Sequence, residues 1–299
     1  MIVFPPEPEA AGAPAIGPVH LRYEDVCQDG RATLGGLPHA LGEIVWRRLL
    51  ADHPLSTGLR EQGIVPMLTR LCLIGYPETI SARRPLEGRG HFDLAHTTDD
   101  SGVVNRVLLN LWVSLHGIRA RSHGPPPSGA GEPVLVGRVF AEHVFTRPFG
   151  PPETRKVARL SDAFGFPGGV PPKHAAWRSA EELGSLPEGA LALDPEPLLD
   201  PAEIVFGLGH TDSNQHVNSL VYPRLFEEAA LRRLAALGCG SLLLARAAEV
   251  SFRKPFFAGD RARIALRMYR SGAKLGAVGS FVSEAGGRAH SYLHMVWEP

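Results

Sequence analysis

His210-Thr-Asp-Ser-Asn-Gln-His-Val-Asn-Ser-Leu-Val-Tyr222 crowds three side chains capable of polar chemistry onto the approach to an apolar helix. Asp212, Asn214 and His216 stand at i, i+2 and i+4, a spacing that places all three on one side if the segment is extended. The helix expected next, Leu220 to Leu237, begins with free backbone N–H groups and a positive dipole end. Donors near Val217, Asn218 and Ser219 could therefore hold a carbonyl oxygen that gains negative charge. Taken from its residues, the stretch has the parts of half an acyl-transfer site.

The same region repeats. A shift of 185 positions carries Leu37-Pro38 and the following Glu43 and Arg47-Arg48-Leu49 onto Tyr222-Pro223, Glu228 and Arg232-Arg233-Leu234. Both segments space apolar residues at helical intervals, with proline near the first turn where its missing N–H costs nothing. After each comes a strand-like run ending at proline, Ile64 to Pro77 and Ala247 to Pro255. Further strands are expected over His91–His96, Val103–His116 and Val134–Phe145, then over Arg261–Tyr269, Ala277–Ser283 and Ala289–Trp297. Strand, helix and several strands, given twice, predicts an α+β fold in which each antiparallel sheet wraps one long helix and the two sheets join edge to edge.

The shift also provides an internal control. It places Cys27, Asp29 and Arg31 where Asp212, Asn214 and His216 stand, so the first copy keeps the helix but not the constellation. One polar site, in the second half, is the expectation. The organisation reads as a flexible tail over 1–17, a first half over 18–147, a linker or lid over 148–197 and a site-bearing half over 198–299. The linker is rich in proline and glycine, and its length predicts that part of it packs over the halves, near the substrate entrance.

Composition excludes several classes. Apolar residues make up 44% and charged residues 21%, a globular balance, and 31 basic residues match 31 acidic ones. Without a basic field, nucleic acid is not an expected partner. Cys27, Cys72 and Cys239 form neither a disulfide framework nor a zinc pattern, which fits a reducing cytoplasm. The proline-broken segment Met1 to Pro18 does not read as a secretory signal, and no apolar run is long enough for a membrane span. No metal or other cofactor is called for: His39, His91, His96, His290 and His294 lack ligand spacing.

Asp212-Ser-Asn214-Gln-His216-Val-Asn218, followed by Tyr222 and Phe226-Glu227-Glu228-Ala229, resembles the signature of the hotdog-fold acyl thioesterases, most closely the acyl-carrier-protein thioesterases. That resemblance implies two tandem hotdog units with the active motif in the second. It also implies hydrolysis of an acyl-CoA or acyl-carrier-protein thioester. Asp212 would be nucleophile or general base, Asn214 and His216 would assist, and Val217, Asn218, Ser219 and Tyr222 would line the substrate. The acyl chain would lie in an apolar tunnel beside the second helix. Plant-type members carry Glu-Cys after an aromatic-Arg-x segment, whereas Phe252-Arg253 is followed here by Lys254-Pro255, leaving Asp212 as the main carboxylate. Pro255 with Gly259-Asp260 matches a wider hotdog pattern.

Each residue has a plainer role beside the functional one. Asp212 could be a turn residue, Asn214 a loop anchor, His216 a donor to a backbone carbonyl and Asn218 a helix cap. Glu228, matched by Glu43 in the half without the motif, reads as a surface ion-pair residue. Two other functions remain open. One is a hotdog enoyl-thioester hydratase or dehydratase, whose motif places proline before a histidine five residues after the aspartate, against Gln215 and His216 here. The other is a non-hydrolytic hotdog acting on a carrier-bound intermediate. A monomeric pseudo-dimer and a homodimer are equally consistent with the repeat.

Overall fold

The computed structural model describes residues 2–8, 13–239, 243–284 and 286–298. The first half contributes β1 (Ala15–Val19), β2 (Val65–Gly75), β3 (Leu86–Thr98), β4 (Val104–Ile118) and β5 (Pro133–Thr146). Between the halves lie four two-residue strands, β6 (Lys173–His174), β7 (Leu191–Ala192), β8 (Leu198–Leu199) and β9 (Ile204–Val205). The second half contributes β10 (Leu244–Phe252), β11 (Arg261–Ser271), β12 (Lys274–Ser283) and β13 (Ser291–Glu298). Each expected strand is present, most of them extended by a few residues. All join in one sheet, in the order β1-β3-β4-β5-β2-β10-β13-β12-β11-β7, with β6 added at β3 and β8 and β9 at β11.

The two halves meet where β2 pairs with β10, antiparallel from Ile74 opposite Ala247 to Arg70 opposite Ser251, centred on Cys72 opposite Glu249. Each central strand carries a bulge at the matching place, at Thr69 against β5 and at Arg246 against β13. A bulge re-aims a side chain. Arg246, 3% exposed, uses this to reach across the seam and donate to the carbonyls of Ala32 and Tyr76 in the first half.

The helices lie on one face of this sheet. Helix α1 (Leu41–Leu50) has the wide turn of a π-helix and is followed by α2 (Pro54–Glu61), with Pro54 in the first turn and the His53 ring accepting the Leu55 N–H at 3.2 Å. Helix α3 (Val221–Ala236) agrees with the expected span to within a residue at each end. Ile44 packs so tightly on β3 that a Cβ at Gly88 or Gly90 would lie 2.7 Å from it, so glycine is required there by space. Tyr222, Phe226, Ala229, Ala230 and Leu234 form the buried stripe of α3. Each fully buried large side chain in such a stripe contributes about 1.5–3 kcal/mol.

The opposite face is covered by chain from outside the hotdog repeats. The expected flexible tail is docked there: Ile2 packs with Cys72, Trp112, Phe140 and Val296, the Trp112 indole donates to the Pro5 carbonyl at 3.2 Å, and Glu7 pairs with Arg138 at 2.6 Å. Tail residues 15–17 belong to β1, paired with β3. The linker first pairs back on the end of β4 and β5, where Val107 N–H donates to the Val157 carbonyl at 2.9 Å, and sets Phe164 against Gly58 of α2. Next it adds β6 to the β3 edge, and its short helical turn Ala180–Gly184 packs on β10, β12 and β13. It then begins to close the β11 edge with β7, and β8 and β9, at the start of the second half, complete that cover. Covering both edges removes unpaired strand donors and acceptors that would template aggregation. No helix among the described residues is long and apolar enough to cross a membrane.

Candidate active site

The motif does not run extended. Thr211 and Val217 form an isolated bridge, and the chain between them turns back on itself. Asp212 N–H donates to the His216 carbonyl at 3.2 Å and Gln215 N–H to the Asp212 carbonyl at 2.9 Å. The turn thus pairs the backbones of Asp212 and His216, both half-buried, and leaves Asn214 exposed at its tip. An i, i+2, i+4 pattern cannot distinguish this turn from a strand, because the deciding bonds come from the aspartate itself. Its Oδ1 accepts the Asn214 N–H at 2.8 Å and its Oδ2 the Asn218 Nδ2 at 2.9 Å.

This turn is present twice. Val26 and Ala32 form the matching bridge in the first half, and Cys27 N–H donates to Arg31 and Gly30 N–H to Cys27 as their counterparts do. Thr33 N–H to Asp25 likewise matches Asn218 N–H to His210, each at 2.9 Å. Even the left-handed residue repeats: Gly30 has φ 92° and its counterpart Gln215 has φ 65°. Among the described residues Gln215 is the one non-glycine with positive φ. The second copy therefore holds a conformation that strains a side-chain-bearing residue, and such strain gathers at functional loops.

Several expected donors are already engaged. Val217 N–H donates to the Phe256 carbonyl at 2.8 Å and Asn218 N–H to His210, so neither is open to a substrate oxygen. Ser219 N–H has no acceptor among the described residues and is the donor that remains of the three. Asn218 acts just ahead of the helix: its Oδ1 accepts the Leu220 N–H at 2.9 Å and its carbonyl the Val221 N–H at 3.0 Å, while Leu220 holds the cap position. The His216 Nδ1 lies 3.3 Å from the Val217 carbonyl.

Tyr222 is 2% exposed, and its place is the aromatic wall beneath the loop rather than a surface open to substrate. Its ring meets Phe252 and Phe281 edge-on, and its hydroxyl accepts the Phe256 N–H at 3.3 Å. Burial pushes the phenol up to about 12. His290, read from sequence as an ordinary strand residue, stacks on Phe256 at 3.9 Å with its imidazole pulled down by burial, and then by Lys254. Phe252 ends β10, so Pro255 lies in the turn beyond it, where the Asp260 carboxylate accepts the Phe257 N–H at 2.9 Å.

An apolar cavity of about 370 Å³ lies beside α1 and α2, lined by Trp46, Leu50, Leu55, Leu59, Ile64 and Leu109. A tunnel beside α3 was expected; the cavity found belongs to the first half. Along β2 the distance from Pro66 in its wall to Arg70 opposite Ser251 is about 13 Å at strand rise. The next residue after Ser251 is Phe252, which touches Tyr222 at the root of the loop.

The first-half loop is polar too. Cys27 lies within electrostatic reach of Glu227 and Arg246 from the second half, and burial, then Asp29 and Glu227, push its thiol up. A protonated thiol is a poor nucleophile. Asp29, despite burial acting in the opposite sense, is held low by hydrogen bonds from Arg31. Glu227 faces the interior with its carboxyl raised by burial, while Glu228 is exposed and 3.9 Å from Arg224. Polar groups therefore occupy both pseudo-equivalent loops, where the sequence pointed to one.

No protein-family model and no curated protein matches the chain. Solved structures do. The fold is similar to a Lactobacillus plantarum protein assigned as an oleoyl thioesterase, at TM-score 0.61 and 10% identity over 97% of both chains. It is also similar to an acyl-ACP thioesterase from Bacteroides thetaiotaomicron, at 0.54 and 14% over 95% of this chain and 98% of that one. The 12:0-ACP thioesterase from Umbellularia californica gives 0.55 and 14% over 95% and 93%. The chain has a tandem hotdog fold, and its likeness to these proteins extends over 95–97% of its length.

Proposed function

We propose that the protein hydrolyses an acyl thioester of coenzyme A or of acyl carrier protein at the second-half loop. The observation carrying this reading is the duplicated turn. The backbone bonds that close it repeat, yet the second copy replaces Cys27, Asp29, Gly30 and Arg31 by Asp212, Asn214, a strained Gln215 and His216. A conformation kept under strain with an acid, an amide and an imidazole is what a reacting centre needs and a connecting turn does not. Full-length likeness in fold to three proteins named as acyl thioesterases supports the same reading.

In this reading Asp212 attacks the thioester carbonyl or takes a proton from water, using lone pairs not committed to Asn214 and Asn218. His216 orients the attacking group, Ser219 N–H holds the developing oxyanion, and the acyl chain runs toward the apolar cavity beside α1. The engagement of both Asp212 oxygens within the loop favours a second reading, a hotdog that binds a carrier-linked acyl group without cleaving it. A thiol-release screen over acyl thioesters of increasing chain length, run beside enoyl-thioester absorbance, decides. Thiol release supports hydrolysis, absorbance change alone indicates hydration, and binding without either indicates the non-hydrolytic role.

A further inference from the structure

On the sheet face opposite the helices, the seam between the halves opens into a cavity of about 600 Å³, roofed by linker residues 177–183. This is the size of a small-molecule site. Five guanidinium groups line it, those of Arg70, Arg106, Arg178, Arg253 and Arg288. Only three carboxylates among the described residues of its wall answer them. Glu249, 4% exposed, is shared by Arg70 at 2.6 Å and Arg178 at 3.3 Å. Glu181 pairs with Arg253 at 3.2 Å. Glu142 takes the Thr69 hydroxyl at 3.0 Å, and burial raises its carboxyl toward the neutral form.

That leaves half-buried Arg106 and exposed Arg288 with no carboxylate at salt-bridge distance among the described residues, each only within longer electrostatic reach of one, Glu142 and Glu181 respectively. Arg106 is half-buried, its guanidinium stacked 3.8 Å from the Trp177 ring centroid. The ring face attracts the cation but carries no net counter-charge. A partly buried cation such as Arg106 is costly unless an anion meets it, and its planar fork, in a wall that also carries the Ser251 hydroxyl, suits the oxygens of a phosphate group. We infer that this cavity is a binding site for a small phosphate-bearing molecule, held by Arg106 and Arg288 and closed by the linker.

The site lies across the sheet from the Asp212 loop and does not depend on the hydrolytic reading. Its occupant could be free inorganic phosphate or the phosphate of a nucleotide, and the two are distinguished by titrating the full-length protein calorimetrically with inorganic phosphate and with adenosine 3′,5′-bisphosphate. At least one should bind saturably. Arg106→Gln and Arg288→Gln should each weaken that binding roughly ten-fold or more, as loss of a charge-assisted contact does. Glu142→Gln should leave affinity unchanged or improve it. Quenching of Trp177 fluorescence, absent in Trp177→Phe, would locate the ligand under the linker. Failure of both probes to bind, or equal binding by wild type and the folded arginine variants, would overturn the assignment.

Discussion

Exchanging Asp212 and Asn218 separates the loop's architecture from its chemistry. In Asp212→Asn, one amide oxygen can still accept the Asn214 N–H, but the amide nitrogen now meets the Asn218 Nδ2 that formerly donated to the carboxylate. If Asn218 flips to repair that clash, it abandons the Leu220 N–H. Either way one hydrogen bond is lost, and because the loop is half-exposed the cost is about 1–2 kcal/mol. Adding Asn218→Asp restores every contact with the roles reversed: the amide introduced at the first position donates to the carboxylate introduced at the second, which still accepts from Leu220. The carboxylate also stays near the positive end of α3. Stability should return to within about 0.5 kcal/mol of wild type.

Hydrolysis should not return. Removing a general base or nucleophile costs about 10²–10⁴-fold, and the double variant should remain as slow as the single one because its acid has moved along the chain to the helix entrance. Urea denaturation and thiol release on the same preparations give both numbers. Wild-type hydrolysis in the Asp212→Asn protein, or recovery of rate together with stability in the double variant, would refute Asp212 as the reacting group.

Gln215→Gly should stabilise the fold by about 0.5–1 kcal/mol, read as a raised urea midpoint, because the loop holds a φ of 65° that glycine adopts freely. Arg246→Ala should lose about 2–4 kcal/mol in the same assay, leaving the Ala32 and Tyr76 carbonyls unsatisfied at the seam. For Glu227 the sign follows from linkage: its folded carboxyl is raised by burial, so its destabilising contribution grows as pH rises from the unfolded value and is complete above the folded one. Glu227→Gln should therefore gain stability relative to wild type at neutral pH and lose that gain in acid, and a pH-independent difference would contradict the shift.

Much of the fold was legible because strand periodicity is local and because the chain carries its helix-and-strands unit twice. Each run of alternating or continuous apolar residues became a strand, and the 185-residue shift extends to single hydrogen bonds and to the left-handed residue. The candidate loop was read less well. Asp212, Asn214 and His216 were expected on one extended face, but the aspartate's own bonds to Asn214 and Asn218 close a turn that side-chain spacing does not reveal. The docked tail was missed although a signal existed. From Val107 to Val113 the sequence of β4 is apolar at every position but Asn110, the mark of a strand covered on both faces, and the two expected long helices can cover one. Arg70, Arg106, Arg178 and Glu249 meet only after the linker crosses the sheet, a pairing that no motif records.

The central claim is that the turn at Asp212 faces a bound thioester. A crystal structure with a non-hydrolysable acyl-thioether analogue of the substrate tests it most directly. The acyl carbonyl carbon should lie within about 3.5 Å of an Asp212 oxygen or of a water held by it, with the chain directed toward Trp46 and Leu59. A carbonyl bound at the first-half loop near Cys27 and Glu227, or in the arginine-lined cavity on the opposite sheet face, would contradict it.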